Sequence, residues 1–172
     1  MEPDVGHARR TARAKALSGL TPERIAVLHA AAHEVEPSLD FVTDRFYARL
    51  AAMPDVRPFL AGRMERLRES FRAWVASLFS ADYGASYAES LWRFGQVHLA
   101  AGVPIDCLTG SMAVVQEALQ PVLLAGARAR PFAEAERLAA LNAALGYSLI
   151  VMQAAYWEAR GGRPAPSPGS KR

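Results

Sequence analysis

Along almost the whole chain the apolar residues recur three and four positions apart, and no alternating β-branched run bounded by turn residues interrupts them. A sheet cannot be built from that pattern, so the fold is expected to be all-α. Proline and capping residues divide it. Residues 4–17 read as a weak, Arg-rich leading helix, and Thr21-Pro22 supplies an N-cap and a first-turn proline for a helix to about Glu36. Pro37 marks the next boundary, and residues 38–52 carry Leu39, Val42, Phe46 and Leu50 on one face. Pro54 and Pro58 confine 54–61 to a turn or corner before a helix from about Arg63 to Phe79. Asp82 precedes another helix, with Ser86 and Glu89 at capping-box spacing, which runs to Gly102 with Pro104 beyond. Two long helices, 104–127 and 132–160, complete the expectation.

At 172 residues and 51% hydrophobic, the chain is one domain's worth and can bury a sizeable core. Its formal charge of +3 sits at the ends. Residues 1–19 hold Arg9, Arg10, Arg13 and Lys15 against Glu2 and Asp4, and residues 160–172 hold Arg160, Arg163, Lys171 and Arg172 with no acid. The mildly acidic body that remains argues against a phosphate-tracking groove, and no nucleic-acid partner is expected. The lone Cys107 and the charged N-terminus, which lacks the apolar run of a signal peptide, point to the cytoplasm. Twenty uncharged residues separate Arg137 from Glu158, enough for about 30 Å of helix. Asn142, Gly146, Tyr147, Ser148 and Gln153 within them are costly against lipid, so a helix buried on both sides is expected, not a membrane span. The Gly- and Pro-rich stretch after Arg160 is expected to be a disordered tail or truncated linker.

Of fifteen aromatic residues, eleven lie between Phe41 and Phe94. Leu67, Phe71, Trp74 and Leu78 form a single stripe, with Ser70 beside it, and Tyr87, Leu91, Phe94, His98 and Ala101 form another on the following helix. His98 therefore points inward, and periodicity alone favours a core histidine bonded to a carbonyl. Phe46 and Tyr47 face the same region if the three helices pack together. His29 and His33 share a helix face near Glu36, a spacing that suits a metal, but no third ligand is specified and an exposed polar face is the expectation.

Three stretches taken in order carry a resemblance: Asp44-Arg45-Phe46-Tyr47-Ala48-Arg49-Leu50, Leu78-Phe79-Ser80, and Gly95-Gln96-Val97-His98 with Gly102 shortly after. Together they resemble the globin-coupled sensor and protoglobin family across roughly residues 20–158. The resemblance implies a globin fold with an extra N-terminal helix over 1–19, a sensor globin domain over 20–160 with long last two helices, and a tail over 161–172. It implies heme b (iron protoporphyrin IX) with His98 as proximal ligand, a role that suits neutral imidazole. Tyr47 would be the distal donor to dioxygen, leaving carbon monoxide less stabilised. Ser70 would be a second donor or orient Tyr47, and Leu67 would limit water entry. Phe46, Phe71, Trp74 and Phe94 would give flat apolar contact with the porphyrin, and Leu91 and Val97 would complete the lining.

The resemblance further implies a gas sensor for dioxygen, or for CO or NO, rather than an enzyme. It also implies a homodimer through the last two helices, which carry more apolar surface than one heme core needs. Leu138, Leu141, Leu145, Leu149, Met152 and Tyr156 make one stripe, and Ala140, Ala143, Ala144, Tyr147, Val151 and Ala154 a second. The output would be a fused domain or a separate signalling partner. The other readings are a heme enzyme acting on nitric oxide or peroxide and a heme-free interaction module in stress signalling. Many members follow the histidine with Arg-Ile-Gly-Leu and then Trp-Tyr; Ala100-Ala101-Gly102-Val103 and Cys107-Leu108 stand here, so a proximal contact from that tyrosine is lacking. Cys107 is expected to fill the space of a larger residue.

Overall fold

Breaks between helices fall where proline, glycine and capping side chains put them. A computed structural model describes residues 5–126 and 131–161. Among these described residues the elements are α1 (Val5–Ser18), α2 (Pro22–Val35), α3 (Leu39–Ala51), the single-turn α4 (Arg57–Leu60), α5 (Met64–Leu78), α6 (Ala85–Ala100), α7 (Ile105–Gly126) and α8 (Pro131–Ala159), with no strand. A 3₁₀ turn over Glu36–Ser38 joins α2 to α3 around Pro37. The all-α expectation holds, while most of the expected tail lies outside the described residues.

Thr21 caps α2 by accepting from the Arg24 N–H at 3.3 Å, with Pro22 in the first turn. The end of α6 is fixed by Gly102, whose φ of 76° only glycine adopts cheaply. There the Gly102 N–H donates to the Leu99 carbonyl at 2.9 Å and the Val103 N–H to the His98 carbonyl at 3.0 Å, a paired closure that stops the helix one turn after His98. The start of α6 departs from the sequence expectation. Gly84, not Ser86, takes the cap position, and its N–H donates to Asp82 Oδ1 at 2.8 Å. Asp82 makes its own turn two residues earlier, which leaves Ser86 inside the first turn and Glu89 paired with Arg93 one turn on.

The core is organised on α8, against which α1, α2, α6 and α7 all pack. Leu141, Leu145, Met152 and Tyr156 of one stripe and Ala140, Ala143, Ala144, Tyr147 and Val151 of the other are buried within a single chain. The second apolar face therefore has an intrachain cover, to which α1 contributes with Thr11 and Ala14 buried. By length and composition both α7 and α8 could cross a membrane, but more than half of α8's apolar window is buried by protein, as a core helix requires. Glu34 and Arg137 tie α2 to α8, with Nη2 of Arg137 at 3.0 Å from Oε1 of Glu34, and the guanidinium holds the Glu34 carboxyl below its usual range.

The α5–α6 connection is held by tyrosines. Tyr83 adopts a φ of 54°, a left-handed conformation costing about 1–2 kcal/mol for a residue with a Cβ. Its hydroxyl donates to the Leu78 carbonyl at 2.6 Å, and its own carbonyl accepts from the Tyr147 hydroxyl at 3.2 Å. Burial pushes Tyr147 up to about 12, as it does Tyr47, and raises Tyr83 further. Unfolded tyrosines ionise near pH 10, so the unfolded state loses protons first and stability falls as pH rises from about 10 to 12, by about 1.4 kcal/mol per unit for each such tyrosine. Urea melts between pH 8 and 11.5 should show that decline; a midpoint unchanged above pH 10 would contradict it.

Candidate functional site

Helices α3, α5, α6 and α7 enclose two adjoining cavities. The inner one, about 120 Å³, is lined by Phe46 and Tyr47 of α3, Leu67, Ser70, Phe71 and Trp74 of α5, and Phe94 and His98 of α6. Leu108, Ser111, Met112 and Val115 of α7 and Met152 of α8 close it. The larger one, about 410 Å³, shares Phe46, Tyr47, Leu67, His98, Leu108 and Ser111 and runs out past α4 to Val97, Ala101, Arg63 and Arg66. Eight of the ten residues expected at a cofactor site thus line the inner cavity, and Val97, 64% exposed, lines the mouth of the larger one. Leu91 lines neither. It shares a face with His98 but lies two turns nearer the N-terminus, about 10 Å along the helix, and is wholly buried in the core.

His98 Nδ1 lies 2.8 Å from the Phe94 carbonyl oxygen. A carbonyl only accepts, so Nδ1 is the protonated nitrogen, and in the neutral ring the lone pair is on Nε2, the tautomer a metal-ligating histidine needs. Three residues before it, Gly95 lets α6 meet α8 closely: a Cβ there would stand 2.9 Å from the Met152 carbonyl carbon and inside contact distance of its oxygen. Met152 reaches the cavity because of that approach. Gly95→Ala should therefore force the two backbones apart at a cost of about 1–3 kcal/mol and shift His98 with them. Denaturant melts check this, and a variant as stable as the parent would contradict the close packing.

On the other helices the rings form one aromatic cluster. Phe46 and Phe71 stack with centroids 4.0 Å apart, and Tyr47 stands edge-on to both. The Tyr47 hydroxyl donates to the Leu67 carbonyl at 2.7 Å, a partner the sequence does not announce, since the bond joins α3 to α5. Burial raises its pKa to about 12, so it keeps its proton at neutral pH. Ser70 has no hydrogen-bond partner among the described residues, although a serine in a helix commonly bonds back to its own turn. Trp74 Nε1 is buried with no partner among them either.

His29 and His33 are exposed. His29 Nε2 lies 2.9 Å from the Ala81 carbonyl oxygen and His33 stands beside Glu34, and the described residues hold no three-ligand cluster for a metal. Cys107 lines the larger cavity half-buried, and burial with the nearby Asp106 and Asp55 carboxylates pushes its thiol up, which makes it a poor nucleophile.

The implied heme can be tested against these side chains. A flat, largely apolar group with a metal at its centre needs an apolar slot, one imidazole lone pair and few buried charges. The inner cavity has no charged lining residue, His98 offers Nε2, and the orphaned Trp74 N–H is a polar donor that the protein leaves unused. The residues fit the group. Leu108, Met112, Val115 and Met152 escape a sequence reading of the site because they reach it by long-range packing, and only Gly95 signals locally that another backbone comes close.

Comparison with solved structures gives the same fold. The globin domain of a Geobacter sulfurreducens globin-coupled sensor matches with a TM-score of 0.78 and 24% identity, over 84% of this chain and 96% of that one. The globin domain of E. coli DosC matches in its ferric form with a TM-score of 0.65 and 18% identity, over 86% of this chain and 98% of that one. Its ferrous form matches with a TM-score of 0.64, also at 18% identity, over 86% and 97%. No curated protein matches by sequence. The family model described as Protoglobin matches residues 7–160, from α1 to the end of α8, and the chain belongs to the protoglobin family.

Proposed function

We propose that this protoglobin is a gas sensor that binds dioxygen reversibly on a b-type heme held by His98, with carbon monoxide and nitric oxide as further ligands. The observation that carries the reading is the His98 imidazole: Nδ1 is committed to the Phe94 carbonyl, and Nε2 is left for a metal beside an apolar cavity. Heme, when bound, supplies an iron centre with a position for a diatomic gas. The solved DosC globin domain is described in ferric and ferrous forms, which supports an iron-bearing group in this fold.

Tyr47 holds the proton that a polar gas ligand needs. Its hydroxyl gives up the Leu67 carbonyl to serve that ligand, while Ser70 and the Trp74 N–H, both without partners among the described residues, are available to share the task. Phe46, Phe71 and Leu67 keep water out. The route outward is through Gly95: where α6 touches the α8 backbone, a shift of His98 moves α8 directly. Reduced protein should take up dioxygen and carbon monoxide reversibly, read as absorption changes undone by degassing. Spectra that never respond to either gas would remove the reading.

The sensor acts as a homodimer. Support comes from what α7 and α8 leave uncovered: Gly110, Ala113, Pro121 and Ala125 on α7, and the 62% exposed Trp157 with half-buried Leu149 and Ile150 on α8. Sedimentation at micromolar concentration should give a dimer, and a monomer throughout would contradict it.

A further inference from the structure

We infer that Arg63 and Arg66 bind the two carboxylates of the porphyrin, which sets its acid edge at the α4–α5 corner and its apolar edge toward Phe71, Met112 and Met152. The inference rests on the heme reading above. Both arginines line the larger cavity, and they stand one turn apart at the start of α5, so their side chains emerge on one face. Neither has an ion-pair or hydrogen-bond partner among the described residues, whereas Arg68 and Arg72 on the same helix are paired with Asp44 and Asp40. The first N–H groups of α5 lack a side-chain cap and add positive potential at that corner. Glu65, between the two arginines, is exposed and does not line the cavity.

The one carboxylate lining that cavity is Asp106, and its Oδ1 already accepts from the Cys107 N–H at 2.9 Å. Cationic charge therefore predominates at the mouth. The inner cavity offers no arginine or lysine, and a carboxylate buried there would pay its desolvation without a partner. Two planar guanidinium forks matched to two carboxylates make the mouth the favourable end for the acid edge.

The test is hemin loss from holoprotein to an excess of a heme-scavenging apoglobin, followed in the Soret region. Arg63→Gln/Arg66→Gln should release hemin about ten-fold faster than the parent, since each contact is partly solvated. Arg49→Gln, on the exposed side of α3, should release it at the parent rate. Parent protein reconstituted with hemin dimethyl ester should show the same acceleration, and esterification should add nothing in the double variant, a comparison that does not depend on how well the variant folds. Parent-like rates for the double variant and the ester, or an ester effect as large in the variant as in the parent, would overturn the inference while leaving the heme reading intact. A parent protein that takes up neither hemin nor its ester would instead remove the heme reading itself.

Discussion

His98→Ala purifies without a Soret band, or holds hemin about 100-fold or more weakly than the parent, because it removes the imidazole lone pair itself; losing only the outer partner of a metal ligand already costs about 10- to 100-fold. Its fold should persist. His98 is only half-buried and its ring bonds to a carbonyl of its own helix, so truncation at that position costs little stability and the helical circular dichroism should match the parent's. Imidazole added to the variant should restore a heme spectrum by filling the space the side chain left. His29→Ala is the control: His29 is exposed and bonded to the Ala81 carbonyl, and its loss should leave the spectrum unchanged. Normal hemin retention in His98→Ala would overturn the ligand assignment.

Tyr47→Phe should speed dioxygen dissociation by about 10- to 100-fold, the equivalent of the ~1.5–3 kcal/mol of a hydrogen bond to a charged group, while carbon monoxide dissociation changes far less. The asymmetry follows from ligand chemistry. Bound dioxygen carries partial negative charge and accepts a proton donor strongly, and carbon monoxide does so weakly. The substitution also strips the Leu67 carbonyl of its donor, an added cost of about 1 kcal/mol in stability. Flash photolysis or stopped-flow mixing measures both rates. Equal effects on the two gases would mean that Tyr47 shapes the cavity without donating to the ligand.

Helix boundaries were legible because their causes are local: Thr21-Pro22, Pro37, Pro54 and Gly102 act within one turn of themselves. The start of α6 departs from the Ser86–Glu89 spacing because two local signals compete there and the Asp82 turn prevails. Facing was legible too, which is why His98, Tyr47, Phe71 and Trp74 meet at one cavity. Depth was not. Periodicity gives the side of a helix a residue occupies but not its height along the axis, so Leu91 shares the face of His98 without sharing its cavity.

What remained hidden depends on contacts between residues far apart in the chain. The pairing of Glu34 with Arg137, the acceptor of the Tyr47 hydroxyl and the approach of Met152 to Gly95 are all of this kind. The two apolar faces of α8 show the same boundary. Their existence is written in the sequence, but that α1 covers part of the second face within the same chain is written only in the packing.

Gas binding on heme is tested most directly by an absorption spectrum of the purified protein, oxidised, then reduced, then exposed separately to dioxygen and carbon monoxide. The expected result is a Soret band that shifts at each step and returns when the gas is removed. No Soret band, even after hemin is added, would contradict it and return His98 to the role of a helix histidine bonded to its own backbone.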